Sequence, residues 1–295
     1  MKTKIILLMV LVLFLTSCVD NNSSGTTSSW RTGTEGIVMN FLPDNPPSEI
    51  LSRGNVNVVL KYSNKGAFET QPMFYLRGYD PNILPFKNQD KSGEKIEGKS
   101  EFNSFGSQDY FAEWQTGINM GSFGNVDSFD QSLSITACYY YETVASPTIC
   151  IDPGRYDYSS ASQCDFDIRG LGSSQGGPIA ITSVKQKSTD TELFLEIDFA
   201  NKGKGNPYIT SSKNCLNLRY DEIDVINLVE VRLGSQPFTE CKPTKLRLVN
   251  GKATAVCNMP LRKTDLFYTS PLDIRVSYNY RESTSKKDIT IVNIK

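Results

Sequence analysis

The chain has 295 residues, no histidine and a formal net charge of −1, and its hydrophobic and charged fractions are ordinary for a globular protein. The absence of histidine excludes Ser-His-Asp and Cys-His catalysis as well as histidine-ligated metal sites. The charge is nearly balanced and no basic block or stripe is present, which argues against nucleic acid as a partner.

The N-terminus has the pattern of a secretory signal peptide. Lys2 and Lys4 precede an apolar run, Ile5 to Leu15, that is too short to span a bilayer, since spanning takes about 20 residues. The run ends in Leu-Thr-Ser-Cys, which resembles the lipobox of prokaryotic lipoproteins. This resemblance implies a signal peptide over residues 1–17 and lipid attachment at Cys18. An ordinary signal peptide followed by a chance cysteine is the alternative.

Residues 18–35 are rich in Ser, Thr, Asn and Gly and have almost nothing to bury, which predicts a flexible tether. Asn21 and Asn22 each begin an N-x-S triplet, so both are candidate glycosylation sites, with an unmodified linker as the alternative. We expect the mature protein to lie outside the cytoplasm, anchored to the cell membrane through Cys18. Without the leader, 29 basic residues remain against 32 acidic ones, a net charge of about −3.

Six further cysteines predict disulfides, because an even number behind an export signal is typical of a disulfide framework. They are Cys138, Cys150, Cys164, Cys215, Cys241 and Cys257. A structural zinc site would need tight C-x-x-C pairs or histidine partners, and the chain has neither. A hairpin turning at Val144 would place Cys138 opposite Cys150, which predicts a disulfide between them.

The second predicted disulfide, Cys241–Cys257, flanks Asn250-Gly251, a strong signal for a two-residue hairpin turn. In that register Cys257 faces Thr244, so the bridge would reach the segment that leads into the partner strand. By elimination, Cys164 pairs with Cys215.

An internal repeat begins with two alternating strands that are 137 positions apart, each followed by Asn-Lys-Gly. Each strand should direct its apolar side chains to a core. These are Val56, Val58, Leu60 and Tyr62 in the first copy and Leu193, Leu195, Ile197 and Phe199 in the second. In the turns, we expect Gly66 and Gly203 to take positive φ and the asparagine side chains to bond to their own backbone.

A second pair of matching segments starts at Leu133 and Leu272, and it aligns Tyr139 with Tyr278 and Tyr141 with Tyr280. The offset of 139 is nearly that of the first pair, which favours a duplicated domain over coincidence among β-rich segments. We therefore predict an all-β protein with two tandem antiparallel β-sandwich domains. The expected ranges are 36–158 for the first domain, with insertions, 159–178 for the linker and 179–295 for the second domain.

The alternating strand that runs into Asn-Lys-Gly resembles the CARDB modules of archaeal and bacterial surface proteins. Those modules are immunoglobulin-like sandwiches related to fibronectin type III. The resemblance rests on about fourteen residues in each half, from Val56 and from Leu193, and implies adhesion, spacing or binding roles. It supplies no catalytic residues. The long segment from Ile83 to Gln131 departs from a compact module.

Aromatic residues are concentrated between Phe102 and Phe129, and this segment is the best candidate for a binding surface. We expect most of its rings to fill the core, as a sandwich needs a large aromatic contribution. If exposed, Tyr110 and Trp114 would contact a glycan or protein, as would an outward Tyr140.

Acidic residues provide the alternative chemistry. A glycosidase needs only two carboxyl groups at a suitable separation, and the candidates are Asp109, Glu113, Asp221, Glu222 and Asp224. Asp165, Asp167 and the acids of the NVDSFD run supply oxygens for Ca²⁺ but do not have the EF-hand spacing. We expect a non-catalytic surface lipoprotein without a cofactor, serving adhesion, binding or envelope structure. The alternative is a carbohydrate-active enzyme.

Overall fold

The computed structural model describes residues 30–121, 126–152, 164, 167–169, 171, 175–189, 191–261 and 267–294. These residues contain no α-helix, which confirms the predicted all-β class, and all strands pair antiparallel except one parallel pair. In chain order the strands are β1 (Ile37–Phe41), β2 (Glu49–Leu51), β3 (Asn55–Asn64), β4 (Met73–Arg77), β5 (Asp90–Ser92), β6 (Tyr110–Gly117), β7 (Ser128–Ala145), β8 (Thr148–Ile151), β9 (Asp167–Arg169), β10 (Ile179–Ser188), β11 (Glu192–Asn201), β12 (Asn206–Tyr208), β13 (Val225–Leu233), β14 (Gln236–Pro237), β15 (Glu240–Lys242), β16 (Lys245–Arg247), β17 (Lys252–Pro260), β18 (Tyr268–Ser283) and β19 (Lys287–Val292).

The fold is organised by one long antiparallel ladder between the two halves of the chain. β7 pairs with β18, with Tyr141 opposite Tyr278 and Tyr139 opposite Tyr280. β8 continues along the first residues of β18, and β19 continues along the first residues of β7. The two repeated segments therefore lie against each other, related by an approximate two-fold axis near the Tyr140–Asn279 pair.

The predicted hairpin at Val144 is wrong, and with it the predicted Cys138–Cys150 disulfide. After β7 the chain passes Ser146 and Pro147 and then runs on along the same partner strand instead of turning back. Twelve residues of extended chain place the two cysteines up to about 40 Å apart. A disulfide requires Cα atoms within about 7 Å.

Two further layers pack on the ladder, one from each half. β3 lies between β1 and β6 in the first half, and β11 lies between β10 and β17 in the second. The apolar faces predicted for β3 and β11 are confirmed, since all eight side chains are at most 2% exposed. They belong to one hydrophobic core that includes residues of both halves.

Both Asn-Lys-Gly turns make the same hydrogen bonds. Asn64 Oδ1 accepts from the amide of Gly66 at 3.0 Å, and Asn201 Oδ1 accepts from the amide of Gly203 at 3.2 Å. The expected asparagine-to-backbone bond is therefore present in each copy, and the duplicated sequence has a duplicated structural counterpart.

The expected positive φ at the two glycines is wrong. The role that the two glycines share is steric. Neither Gly66 nor Gly203 is in the left-handed region. A Cβ on Gly66 would lie 1.8 Å from the hydroxyl of Tyr141, and one on Gly203 would lie 2.4 Å from that of Tyr280. Glycine is needed there because a tyrosine from the ladder comes close to the turn.

The four ladder tyrosines connect the layers. Tyr141 accepts from the amide of Phe68 at 3.2 Å, and Tyr280 accepts from the amide of Gly205 at 2.9 Å. Tyr139 and Tyr278 accept in the same way from the first residues of β1 and β10 at 3.3 and 3.4 Å. Neighbouring rings of this tyrosine quartet have centroids 5.8 to 6.2 Å apart.

The disulfides are Cys138–Cys215, Cys150–Cys164 and Cys241–Cys257. The third was predicted, whereas the predicted Cys164–Cys215 pair is wrong because its elimination argument started from the wrong first pair. The predicted register, in which Cys257 faces Thr244, is wrong, because Cys241 lies directly opposite Cys257 in the β15–β17 ladder. The register differs because β15 pairs with β17, whereas the next strand, β16, pairs with β13 in the other layer. The chain therefore does not form one continuous hairpin from Cys241 to Cys257.

The Cys138–Cys215 disulfide holds a crossing segment on the outer face of the ladder. This segment joins β12 to β13, and it is also bound by Asn279 Nδ2, which donates to the carbonyl of Ile209 at 3.2 Å. Arg281 donates to the carbonyl of Cys215 at 3.0 Å. Cys138 and Cys215 belong to different halves, so this disulfide links the halves covalently.

The predicted linker is described only in part, and its described end is buried. Gln175 is 1% exposed, and its amide bonds to Leu171 and to both backbone groups of Ile181. The division into domains at 36–158 and 179–295 stays a prediction, although the two segments share the ladder and the core.

Removing the disulfide between the halves should cost more stability than removing a local one. In the chain-entropy model, the 77-residue separation of Cys138–Cys215 contributes about 4.5 kcal/mol, against about 3 kcal/mol for the 16-residue separation of Cys241–Cys257. Urea denaturation of the two double Cys→Ser variants measures the difference. Equal losses, or non-reducing peptide maps that join Cys138 to Cys150, would contradict this connectivity.

The tyrosine quartet should make the protein sensitive to alkali. Burial raises the pKa of all four hydroxyls above the usual value of about 10. The folded state therefore keeps protons that the unfolded chain releases, so the free energy of unfolding is full below about pH 10 and falls above it. The slope approaches about 1.4 kcal/mol per pH unit for each tyrosine. Denaturation curves at increasing pH should show a shallower slope for Tyr278→Phe, and an unchanged slope would count against the quartet as the cause.

Candidate functional site

The three aromatic residues predicted to bind a partner do not form one surface. Trp114 is 2% exposed, and its Nε1 donates to the carbonyl of Gln89 at 3.2 Å. Tyr110 is half-buried and packs against Tyr62 with ring centroids 5.9 Å apart. Tyr140 is 41% exposed, so only this residue stands outward as predicted.

Tyr140 lies on the outer face of the ladder and is held by its neighbours. Its hydroxyl donates to Glu142 at 2.5 Å, and its ring meets Phe68 edge-on at 5.8 Å. Burial, together with the hydrogen bond to the Glu142 carboxylate, raises the pKa of Tyr140 to about 12. The hydroxyl is therefore a neutral, already bonded donor and has no features of a general base.

A cleft of about 650 Å³ opens beside Trp114 at the free edge of β6. Phe86 lines it together with Lys87 and Lys91, and no carboxylate is among its described lining residues. The ammonium of Lys91 lies 5.5 Å from the centre of the Trp114 ring and donates to the carbonyl of Glu113. The cleft can hold a small polar or anionic group, but it lacks the paired acids of a glycosidase.

Among the described residues, the most exposed aromatic side chains are in the loop before β6. Phe102 is 99% exposed and Phe105 is 84% exposed, so neither ring fills the core as the sequence predicts for most rings of this segment. Phe111 is also half exposed, so the segment divides into a buried Trp114 and outward phenylalanines. An indication was present in the sequence, because the surrounding Lys-Ser-Glu-Phe-Asn-Ser-Phe-Gly-Ser has no strand alternation.

This phenylalanine loop, residues 99–107, is closed at its base by the first Asn-Lys-Gly turn. The amide of Lys99 donates to Gly66 at 2.7 Å, and the amide of Ser107 donates to Asn64 at 2.9 Å. Within the loop, Asn103 bonds to Ser100 and Gly106, and its Oδ1 accepts from the amide of Phe105 at 3.2 Å. The exposed rings are therefore carried by an ordered backbone.

The candidate acids are not assembled into a reactive pair. Asp109 forms an ion pair with Lys61 at 3.3 Å, and Asp221 and Glu222 both pair with Arg219 on an exposed turn. Glu113 points outward on β6, and Asp224 accepts from Asn206 at 3.4 Å. Each of these five acids is at the surface or already has a partner.

No group of three His, Cys, Asp or Glu side chains among the described residues is placed to hold a metal ion. Of the calcium candidates, Asp130 accepts from Thr290 at 2.7 Å, while Asp165 and the side chain of Asp167 lie outside the described residues. Cys18, Asn21 and Asn22 also lie outside them. The described part of the chain has no helix long and apolar enough to cross a membrane.

Neither a protein-family model nor a curated protein matches the chain. Among solved structures, it is similar to the secreted serine protease VesC from Vibrio cholerae, with 7% identity, a TM-score of 0.19, and coverage of 88% of this chain and 52% of that one. It is also similar to alpha-2-macroglobulin of E. coli in its native conformation, with 9% identity, a TM-score of 0.14, and coverage of 89% and 16%. The chain thus spans about half of the first protein and a sixth of the second. Similarity at these TM-scores shows neither a shared fold nor a shared activity.

The exposed fraction of each side chain predicts how much stability an aromatic-to-alanine substitution costs. Phe102→Ala combined with Phe105→Ala should change the free energy of unfolding by less than about 0.5 kcal/mol, since neither ring is buried. Trp114→Ala should lose about 3 to 5 kcal/mol, because it opens a cavity under β6. Urea denaturation measures both, and a large loss in the loop variant would place its rings inside the fold.

Proposed function

We propose that this chain is a non-catalytic lipoprotein that displays a disulfide-stabilised β-sandwich body outside the cytoplasm. The observation that carries the proposal is the set of three disulfides behind a leader with a lipobox-like end. Disulfides form and persist in oxidising compartments, so the fold agrees with an export signal. The diacylglyceryl group of a lipoprotein would supply two chains at Cys18, which is enough for stable anchoring.

The body is suited to binding or to a structural role in the envelope. Asp109, Asp221 and Glu222 form ion pairs, and the cleft beside Trp114 is lined by two lysines. Exposed aromatic rings on an ordered scaffold are typical of contact with proteins, glycans or lipid. We therefore place adhesion, partner binding or envelope structure ahead of the carbohydrate-active enzyme, for which no carboxylate pair is in position.

The CARDB-like resemblance supports the same role. The alternating strand and the Asn-Lys-Gly turn that carry it are found at corresponding places in both halves, each bonded to a ladder tyrosine. We propose descent from a duplicated surface module of that kind, in which the two copies have become paired through β7 and β18.

Lipidation is tested directly at Cys18. We expect mass spectrometry of the mature protein to find an acylated cysteine as its first residue, because cleavage in lipoproteins occurs just before the lipidated cysteine. Metabolic labelling with an alkyne fatty acid should mark the wild-type chain and not Cys18→Ser. A mature chain with an unmodified N-terminus at another residue would remove the anchor from the proposal.

A further inference from the structure

The phenylalanine loop has no counterpart among the described residues of the second half. There, the amide of Asn201 donates to the carbonyl of Gly251 at 2.8 Å, within the tight Asn250-Gly251 turn that leads into β17. In the first half, the amide of Asn64 donates to Ser107 Oγ at 2.8 Å, at the end of the loop that leads into β6. The second half reaches β17 through a two-residue turn, whereas the first half reaches β6 through a loop that exposes two phenylalanines.

The ordered backbone indicates that this exposure is built into the fold. Gly106 has a φ of +85°, and a Cβ there would lie 2.3 Å from the carbonyl oxygen of Asn64. Glycine therefore allows the loop to close tightly on the first Asn-Lys-Gly turn. Two large apolar side chains held in water on an ordered loop indicate a contact surface.

The N-terminal segment enters the body at the base of this loop. Lys99 Nζ donates to the carbonyl of Thr32 at 2.8 Å, so the chain leading from Cys18 reaches the fold beside the phenylalanines. Trp30 is twelve positions after Cys18 in the sequence, which allows a reach of at most about 40 Å. An anchor at Cys18 would keep this side of the body close to the bilayer.

We propose that the phenylalanine loop inserts Phe102 and Phe105 into the interface of the membrane to which the chain is anchored. This proposal rests on the proposed lipidation, since the anchor brings the loop to the lipid. Phe102 and Phe105 are almost fully exposed, which suits partition into a deformable lipid surface better than docking into a preformed pocket. Lys99 and Glu101 give the loop both signs of charge, so the contact is apolar and does not depend on anionic lipid.

Bromolipid quenching of a tryptophan in the loop tests the contact. The full-length protein with Phe102→Trp is reconstituted in phosphatidylcholine vesicles, with the wild type as the blank for Trp30 and Trp114. We expect the added emission to be blue-shifted and to be lost in vesicles of brominated phosphatidylcholine. Tyr220→Trp is the matched control, because Tyr220 is also an exposed aromatic, at 81%, but lies in the second half. Its emission should persist.

Equal quenching of the two added indoles, or none at position 102, would overturn the insertion. Loss of a co-purifying protein from the Phe102→Ala, Phe105→Ala variant without lipid quenching would overturn it in favour of a protein partner. Mass spectrometry of the same preparation separates the two proposals. An acylated Cys18 without quenching removes only the loop contact, whereas quenching without acylation keeps the loop contact and removes the anchor.

Discussion

The fold depends on the pairing of one repeated segment with its own copy. β7 and β8 run antiparallel to β18 and β19, so the two copies form one ladder across the approximate two-fold axis. β7 of the first half pairs with both β18 and β19, and β18 of the second half pairs with both β7 and β8. Neither half can bury its tyrosines or complete its sheet without its counterpart, and this explains why one hydrophobic core contains residues of both.

The hydroxyls of the tyrosine quartet make this pairing specific. A buried hydroxyl without a partner costs about 1 to 3 kcal/mol, so each of the four must meet a donor or acceptor at a defined position. Tyr141 and Tyr280 meet the two Asn-Lys-Gly turns, and Tyr278 also bonds to Thr143 of the opposite strand at 2.8 Å. A shift of either strand by one residue would turn its two tyrosine rings to the outer face. Register, turn geometry and layer packing are therefore determined together.

Local chemistry was predictable from the sequence, and long-range pairing was not. Period-two alternation identified the buried faces of β3 and β11, and Asn250-Gly251 identified a turn, because both signals depend only on neighbouring residues. The same alternation does not reveal which strand a strand pairs with. The hairpin predicted at Val144 lacks a residue suited to positive φ at its turn, and that prediction led to two wrong disulfides. The exposure of Phe111 and the burial of Trp114 likewise depend on which face of β6 packs on the core.

The Cys138–Cys215 disulfide also determines what happens when the chain is cut. Residues 165–178 join the two halves in sequence, and Cys150–Cys164 lies entirely before them. A protease that cleaves this junction would produce two fragments that remain one covalent molecule under oxidising conditions. The ladder and the shared core would still hold them in register. The C-terminal half of such a nicked protein would separate from the N-terminal half only after both reduction and unfolding.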